Sequence, residues 1–318
     1  MHYDVFNGDA DGICALHQLR LAEPRLAALV TGTKRDVRLL ARIAEVRQAH
    51  VTVCDISLDT NRAELVRLLD QGCQVLYFDH HFPGEIPGHP HLAASIDPDP
   101  EVCTAMIVDR QLDGAFRPWA VAAAFGDNLH ASALALAAGL AVDESEVATL
   151  RELGELMNYN GYGATLADLL LPPAALYESL RPYRDPLAFA RRSPVMAALR
   201  QGYQEDMAQA AAAPIWREGE GGRLFLFPAE PWSKRAAGVF MNAQARERPE
   251  SAHGLLVDNG DATFLVSVRA PLSRRTGADT LCRAFPTGGG RAAAAGINAL
   301  PAAQLEAFVA AFQETFRG

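Results

Sequence analysis

The sequence predicts an α/β protein: an N-terminal domain built on a parallel sheet, a helical connector, and a smaller C-terminal α/β domain, with an active cleft between them. Three observations carry this expectation. Strand-like and helix-like segments alternate up to about residue 130, the pattern of βαβ units. The chain then turns mostly helical to about residue 213. Strands return after that, separated by helices. The boundaries read from this pattern are 1–185, 186–213 and 214–318.

The elements follow in order. "YDVF" reads as a short strand, and "GICALHQLRLA" as a helix with Ile13, Leu16 and Leu19 at helical spacing. "RLAALVTG" reads as a second strand and "KRDVRLLARIAEV" as an amphipathic helix. "HVTVCDIS" is a valine-rich third strand, and "NRAELVRLLDQG" is a helix that stops at Gly72. "CQVLYFDHH" is a fourth strand. "RPYRDPLAFARRSP" marks a boundary, and "VMAALRQGYQEDMAQAAAA" is the connecting helix. "GGRLFLFPAE", "AHGLLVDNG" and "ATFLVSVRA" are strands of the second domain. "KRAAGVFMNAQARE" and "PAAQLEAFVAAFQETF" are its helices.

Composition narrows the function classes. The 318 residues carry a formal net charge of -9, with 49% hydrophobic and 21% charged residues, as in ordinary globular proteins. The acidic balance argues against a protein that coats long nucleic acid with its whole surface. "MHYDVFNGDADG" shows no secretory signal, and "LHASALALAAGLAV" is too short to span a bilayer. Five cysteines with no CxxC pair argue against a disulfide framework or zinc ribbon, so a reducing cytoplasm is expected.

Ligands of an open parallel sheet bind beyond the carboxyl ends of its strands. Three strands here end in carboxylates or imidazoles: Asp9 and Asp11 after the first, Asp55 after the third, and Asp79, His80 and His81 after the fourth. Gathered at one edge, these carboxylates would repel each other and raise each other's pKa values unless a cation joined them. Oxygen donors with one or two imidazoles suit Mn²⁺ or Mg²⁺. A calcium loop over "NGDADGICALHQ" is set aside, because Gln18 stands where the closing Glu belongs.

"DADG", an aspartate after the third strand, "DHH", and Asp127 in "AAAFGDN" together resemble the DHH phosphoesterase family, which includes RecJ-type exonucleases and small oligoribonucleases. "FLVSVRAP" and "FPTGGGRAAAAG" are similar to the arginine strand and glycine-rich signature of the DHH-associated C-terminal domain. The resemblance spans nearly the whole chain. It implies two Mn²⁺ ions, with Mg²⁺ as the alternative. Asp9 would ligate the first ion and Asp11 the second, Asp55 would bridge both, and His80 and Asp127 would complete the second site. His81 would face the scissile phosphate, and Asp79 would orient a neighbouring ligand. Arg269, Gly288, Gly289, Gly290 and Arg291 would bind substrate.

Two departures stand out. Val5 replaces a histidine common in the family and Asn7 replaces an acidic residue, so the first site is ligand-poor, with Asn7 or water filling in. Arg291 replaces the histidine that ends the glycine-rich signature.

The resemblance implies a metal-dependent hydrolase that cleaves phosphodiester bonds of short oligonucleotides or dinucleotides through two-metal activation of water. Two alternatives remain open. One is hydrolysis of phosphoanhydrides or phosphomonoesters, such as polyphosphate or a bisphosphorylated nucleotide. The other is a non-catalytic nucleotide-sensing module. The expected partners are small phosphorylated substrates and a second copy of the chain as a homodimer, with no membrane.

Overall fold

The computed structural model describes residues 1–317. The chain divides into two compact units, Met1–Gly202 and Tyr203–Gly318.

The first unit begins β1 (His2–Phe6), α1 (Ala10–Ala22), β2 (Ala28–Thr31), β3 (His50–Cys54), α2 (Leu58–Asp70), β4 (Gln74–Asp79) and β5 (Leu92–Ile96). Helices α3 (Thr104–Gln111), α4 (Arg117–Gly126), α5 (His130–Ala137), α6 (Glu144–Asn160), α7 (Pro173–Leu180) and α8 (Pro186–Arg192) follow. Helix α9 (Pro194–Ala212) carries the division between the units.

The sheet runs β2-β1-β3-β4-β5, with every pairing parallel. Valines at 5, 51, 53 and 75 pack with Tyr77 on Leu65, Leu68 and Leu69 of α2. Helix α1 is buried from Ala10 to Leu19, so it has no separate polar face, and Asp11, His17 and Gln18 are buried with its apolar residues. It packs against α3 and α4. Helix α4 is a run of buried small residues that lets α6 come close. A Cβ at Gly154 would lie 1.9 Å from the Ala122 carbonyl oxygen, so this approach requires glycine.

The helix expected over "KRDVRLLARIAEV" is not formed. Only Leu39–Ile43 makes a short 3-10 turn. Leu39, Leu40 and Ile43 still reach the core, but the backbone groups are satisfied by a side chain. Asn61 Nδ2 donates to the Val37 carbonyl at 2.6 Å, and Asn61 Oδ1 accepts from the Leu40 N–H at 3.3 Å. Strand β5 has no counterpart among the strands read from sequence. It is a half-exposed edge strand in a proline-rich stretch, so its apolar alternation is weak.

The second unit contains β6 (Ile215–Gly219), β7 (Gly222–Phe227), α10 (Pro231–Glu247), β8 (Ala252–Asp258) and β9 (Thr263–Arg269). It ends with α11 (Ala278–Arg283), β10 (Gly288–Arg291), β11 (Ala294–Pro301) and α12 (Leu305–Phe316). Its mixed sheet runs β10-β11-β9-β8-β7-β6. The period-2 alternation of strand side chains gives it two cores. Phe225, Phe227, Leu255 and Val257 meet Phe240 and Met241 of α10 on one face. Leu224, Leu256, Val266 and Val268 meet Phe308, Phe312 and Phe316 of α12 on the other. Burying one such phenylalanine stabilises the fold by about 2–3 kcal/mol. The glycine run forms an edge strand in the β10–β11 hairpin.

Among the described residues no helix is long and apolar enough to cross a membrane. All five cysteines are buried and free.

Candidate metal centre

The strand ends of the first sheet are level. Phe6 pairs with Thr31 on one side and Cys54 on the other, and Cys54 pairs with Phe78. Residues that follow these strands therefore emerge side by side. The chain turns one way from β1 to β2 and the other way from β1 to β3, so the crevice of the sheet opens between β1 and β3. Asp9 and Asp55 stand on its two sides.

Each acidic side chain is aimed by backbone. Asp9 caps α1, its Oδ1 accepting from the N–H groups of Asp11 and Gly12 at 3.1 and 3.2 Å. A Cβ at Gly12 would lie 2.4 Å from the Asn7 carbonyl oxygen, so only glycine lets β1 turn this tightly into α1. Asp11 lies in the first turn of α1. Its oxygens accept from the N–H groups of Thr104 and Ala105, at 2.8 and 2.7 Å, at the start of α3. Asp55 has φ of 61°, a left-handed backbone that bends its side chain off the line of β3. Its Oδ1 accepts from Thr104 Oγ1 at 3.2 Å. Asp127 is the C-cap of α4, at the helix end that disfavours negative charge.

The two histidines have assigned roles at the level of single nitrogens. His80 Nδ1 lies 2.9 Å from the Val102 carbonyl, which can only accept, so Nδ1 carries the proton. In the neutral ring the lone pair then lies on Nε2. Nε2 sits 3.5 Å from Asp55 Oδ1 and 3.9 Å from Asp127 Oδ2. His81 Nδ1 donates to Asp79 Oδ1 at 2.7 Å. Asp79 is fully buried and is held by the N–H groups of His80 and Leu58, at 2.9 and 3.3 Å.

Two overlapping triplets, Asp55–His80–His81 and Asp11–His80–Asp127, each place their donor atoms within 4.8 Å of one another. Asp9 is in neither; its Oδ2 lies 2.6 Å from Lys34 Nζ. Lys34 Nζ also reaches Asn158 Oδ1 at 2.8 Å and Asp127 Oδ1 at 3.3 Å. Asn7 is buried, and its Nδ2 donates to the Lys34 carbonyl at 3.3 Å, while its Oδ1 has no partner.

The electrostatics divide the carboxylates. Burial, then the fields of Asp11, Asp9, Asp127 and Asp79, push Asp55 well above the usual carboxylate range. Burial and Asp11 raise Asp127 to about 6, with Lys34 opposing the rise. Asp9 is different: burial pushes it up, but the Lys34 ammonium and the Gly12 N–H hold it below its ordinary value. The hydrogen bond to Asp79 raises His81. Burial, followed by Asp11, keeps the thiols of Cys14 and Cys103 protonated, so they offer no thiolate ligand.

Either triplet, each drawing on His80, offers oxygen and imidazole donors that suit a divalent ion of the Mn²⁺ or Mg²⁺ kind. Two polar residues of the centre escaped the sequence reading. Lys34 lies just beyond β2, a strand end in the same row as those of β1, β3 and β4. Asn158 comes from α6, far along the chain, and the packing of α6 on α4 and α1 brings it here.

The second-unit residues lie elsewhere in sequence and on their own sheet. Arg291 and Arg269 are both register partners of Ala294, so they share a row and a face across β10, β11 and β9. Arg269 is partly buried, with its Nε donating to Asn242 Oδ1 at 3.0 Å; Arg291 is exposed. Gly288, Gly289 and Gly290 lie in the same edge strand as Arg291.

No protein-family model matches the chain, and no curated protein matches it. Solved structures match its fold. A DHH-domain protein described as belonging to a family of ribosomal proteins aligns over 99% of this chain and 86% of its own, at a TM-score of 0.63 and 13% identity. Exonuclease RecJ bound to manganese aligns over 98% of this chain and 89% of its own, at 0.63 and 17%. The pGpG-specific phosphodiesterase PggH from Vibrio cholerae aligns over 99% of both chains, at 0.55 and 14%. The chain shares the α/β fold of these proteins, among them the DHH-domain protein.

Proposed function

We propose that this chain, with the fold of the DHH-domain proteins, is a divalent-metal-dependent phosphoester hydrolase acting on short substrates, a dinucleotide or a short oligonucleotide. One observation carries the reading. Carboxylates from separate strand and helix ends converge on an imidazole nitrogen whose lone pair is freed by the opposite nitrogen's bond to Val102. The manganese described for RecJ and the dinucleotide activity described for PggH support the choice of ion and substrate class.

Asp11, Asp55, His80 and Asp127 would hold the ion. When bound, it supplies a Lewis acid for a phosphoryl oxygen and makes water acidic enough to attack near neutral pH. His81 does the remaining charge work. Asp79 fixes its tautomer and favours its protonated form, so its Nε2 donates to a non-bridging or leaving oxygen of the phosphate. Arg269, Arg291 and the backbone of Gly288, Gly289 and Gly290 are assigned to an anionic end of the substrate. The net charge of -9 favours a short substrate over a long polymer.

The test is a panel of dinucleotides, short oligonucleotides, a bisphosphorylated nucleotide and polyphosphate with Mn²⁺, analysed by product chromatography. Mononucleotide release supports the diester reading. Release of inorganic phosphate alone replaces it with the phosphoanhydride or monoester reading. Lys34 inside the centre favours one further outcome, nucleotide binding without products, which would make the chain a sensing module.

A further inference from the structure

We infer that Lys34 is a built-in cation occupying the place of a second divalent ion, so that the centre binds one ion and not two. This rests on the metal-dependent reading above and concerns how many ions it requires. The ammonium has three N–H groups, and three acceptors meet them: Asp9 Oδ2, Asn158 Oδ1 and Asp127 Oδ1, at 2.6, 2.8 and 3.3 Å. Asp9 is equally committed. Its Oδ1 takes two backbone N–H groups and its Oδ2 takes the ammonium, so an ion placed on Asp9 would meet the charge of Lys34 at close range unless the lysine moved away.

The lysine does not reach this position as a loose side chain. Its own N–H donates to the Gly161 carbonyl at 3.0 Å, and its carbonyl accepts from Asn7 Nδ2 at 3.3 Å. The fit extends to its stem. A Cβ at Gly161 would lie 3.3 Å from Asp9 Cβ and 3.4 Å from Lys34 Cβ, so glycine keeps this corner open. On the other side of Asp127, the donors of Asp11 and His80 remain grouped for an ion. Asp127 thus joins an internal cation to an external one. Val5 fits the same picture: an apolar side chain, fully buried in β1, stands where the resemblance implies an imidazole for the first ion.

The experiment titrates metal-free wild-type protein and Lys34→Ala with Mn²⁺ by calorimetry, and records low-temperature electron paramagnetic resonance at saturation. The expected result is one equivalent with an uncoupled spectrum in the wild type, and two equivalents with a spin-coupled spectrum in the variant. If the alanine variant does not fold, Lys34→Ser takes its place. Two equivalents in the wild type, or one in both proteins, overturns the assignment of Lys34. No binding to folded wild-type protein instead overturns the metal-dependent reading, so the two failures are distinguishable.

Discussion

The two flanks of the acidic centre solve the same problem differently. On the Asp9 flank the buried carboxylate is balanced within the chain by Lys34, and its pKa is held down. On the Asp11–Asp55 flank, among the described residues, no lysine or arginine pairs with either carboxylate, and Asp55 is pushed up. Backbone N–H groups steady Asp11, but nothing equivalent in charge reaches Asp55. The first flank is complete as folded. The second is built at an energetic cost that a divalent ion would offset. An internal cation makes for structure, while an unbalanced cluster of donors makes for a site.

The predictions test that contrast in order of expected size. On the open flank, His80→Ala and Asp11→Asn should each lower both Mn²⁺ affinity and hydrolysis by more than about 100-fold, because losing a neighbour of a ligand already costs 10–100-fold. Calorimetry and product assays check this, with circular dichroism confirming the fold. On the closed flank, Lys34→Met should destabilise the metal-free protein by about 3–5 kcal/mol, since it leaves Asp9 charged and buried without its partner. Denaturant titration measures the loss, and saturating Mn²⁺ should restore less of it than the full amount.

A pH series separates the centre from its scaffold. His17 lies on α1, the helix that carries Asp11. Its Nε2 donates to the Tyr183 carbonyl at 2.8 Å, and burial lowers its pKa from 6.5 to about 4. The unfolded chain therefore takes up this proton first as pH falls. The stabilisation is complete above pH 6.5 and is lost on descending towards 4, a change of about 3 kcal/mol. Wild type should lose that much relative to His17→Gln over this window in denaturant midpoints. The smallest effect belongs to Asp79→Asn, which should reduce kcat by about 10–100-fold with little change in KM, since Asp79 acts through His81.

Much of this was legible in the sequence, for physical reasons. Strands β1, β3 and β4 are short, largely buried apolar runs followed by helical segments, so their ends could be located and their acidic residues compared. Asp9, Asp11, Asp55 and His80 stand out by their positions at those ends, and Asp127 by the DHH resemblance alone. The grouping into triplets, and Asp9's exclusion from them, depends on side-chain reach that spacing does not encode. Lys34 was hidden because its segment read as a helix, whereas Asn61 satisfies the loop backbone in place of helical bonds. Strands β5 and β10 lack apolar alternation because both are edges. Their existence follows from pairing partners elsewhere in the chain.

The central claim is that Asp11, His80 and Asp127 hold a divalent ion beside Lys34. Crystals grown with Mn²⁺ and measured at its absorption edge would locate it directly. The account predicts one anomalous peak, in bonding contact with His80 Nε2 and the carboxylates of Asp11 and Asp127, with Lys34 still on Asp9. A peak at Asp9 with Lys34 displaced, or no peak among these residues, would contradict it.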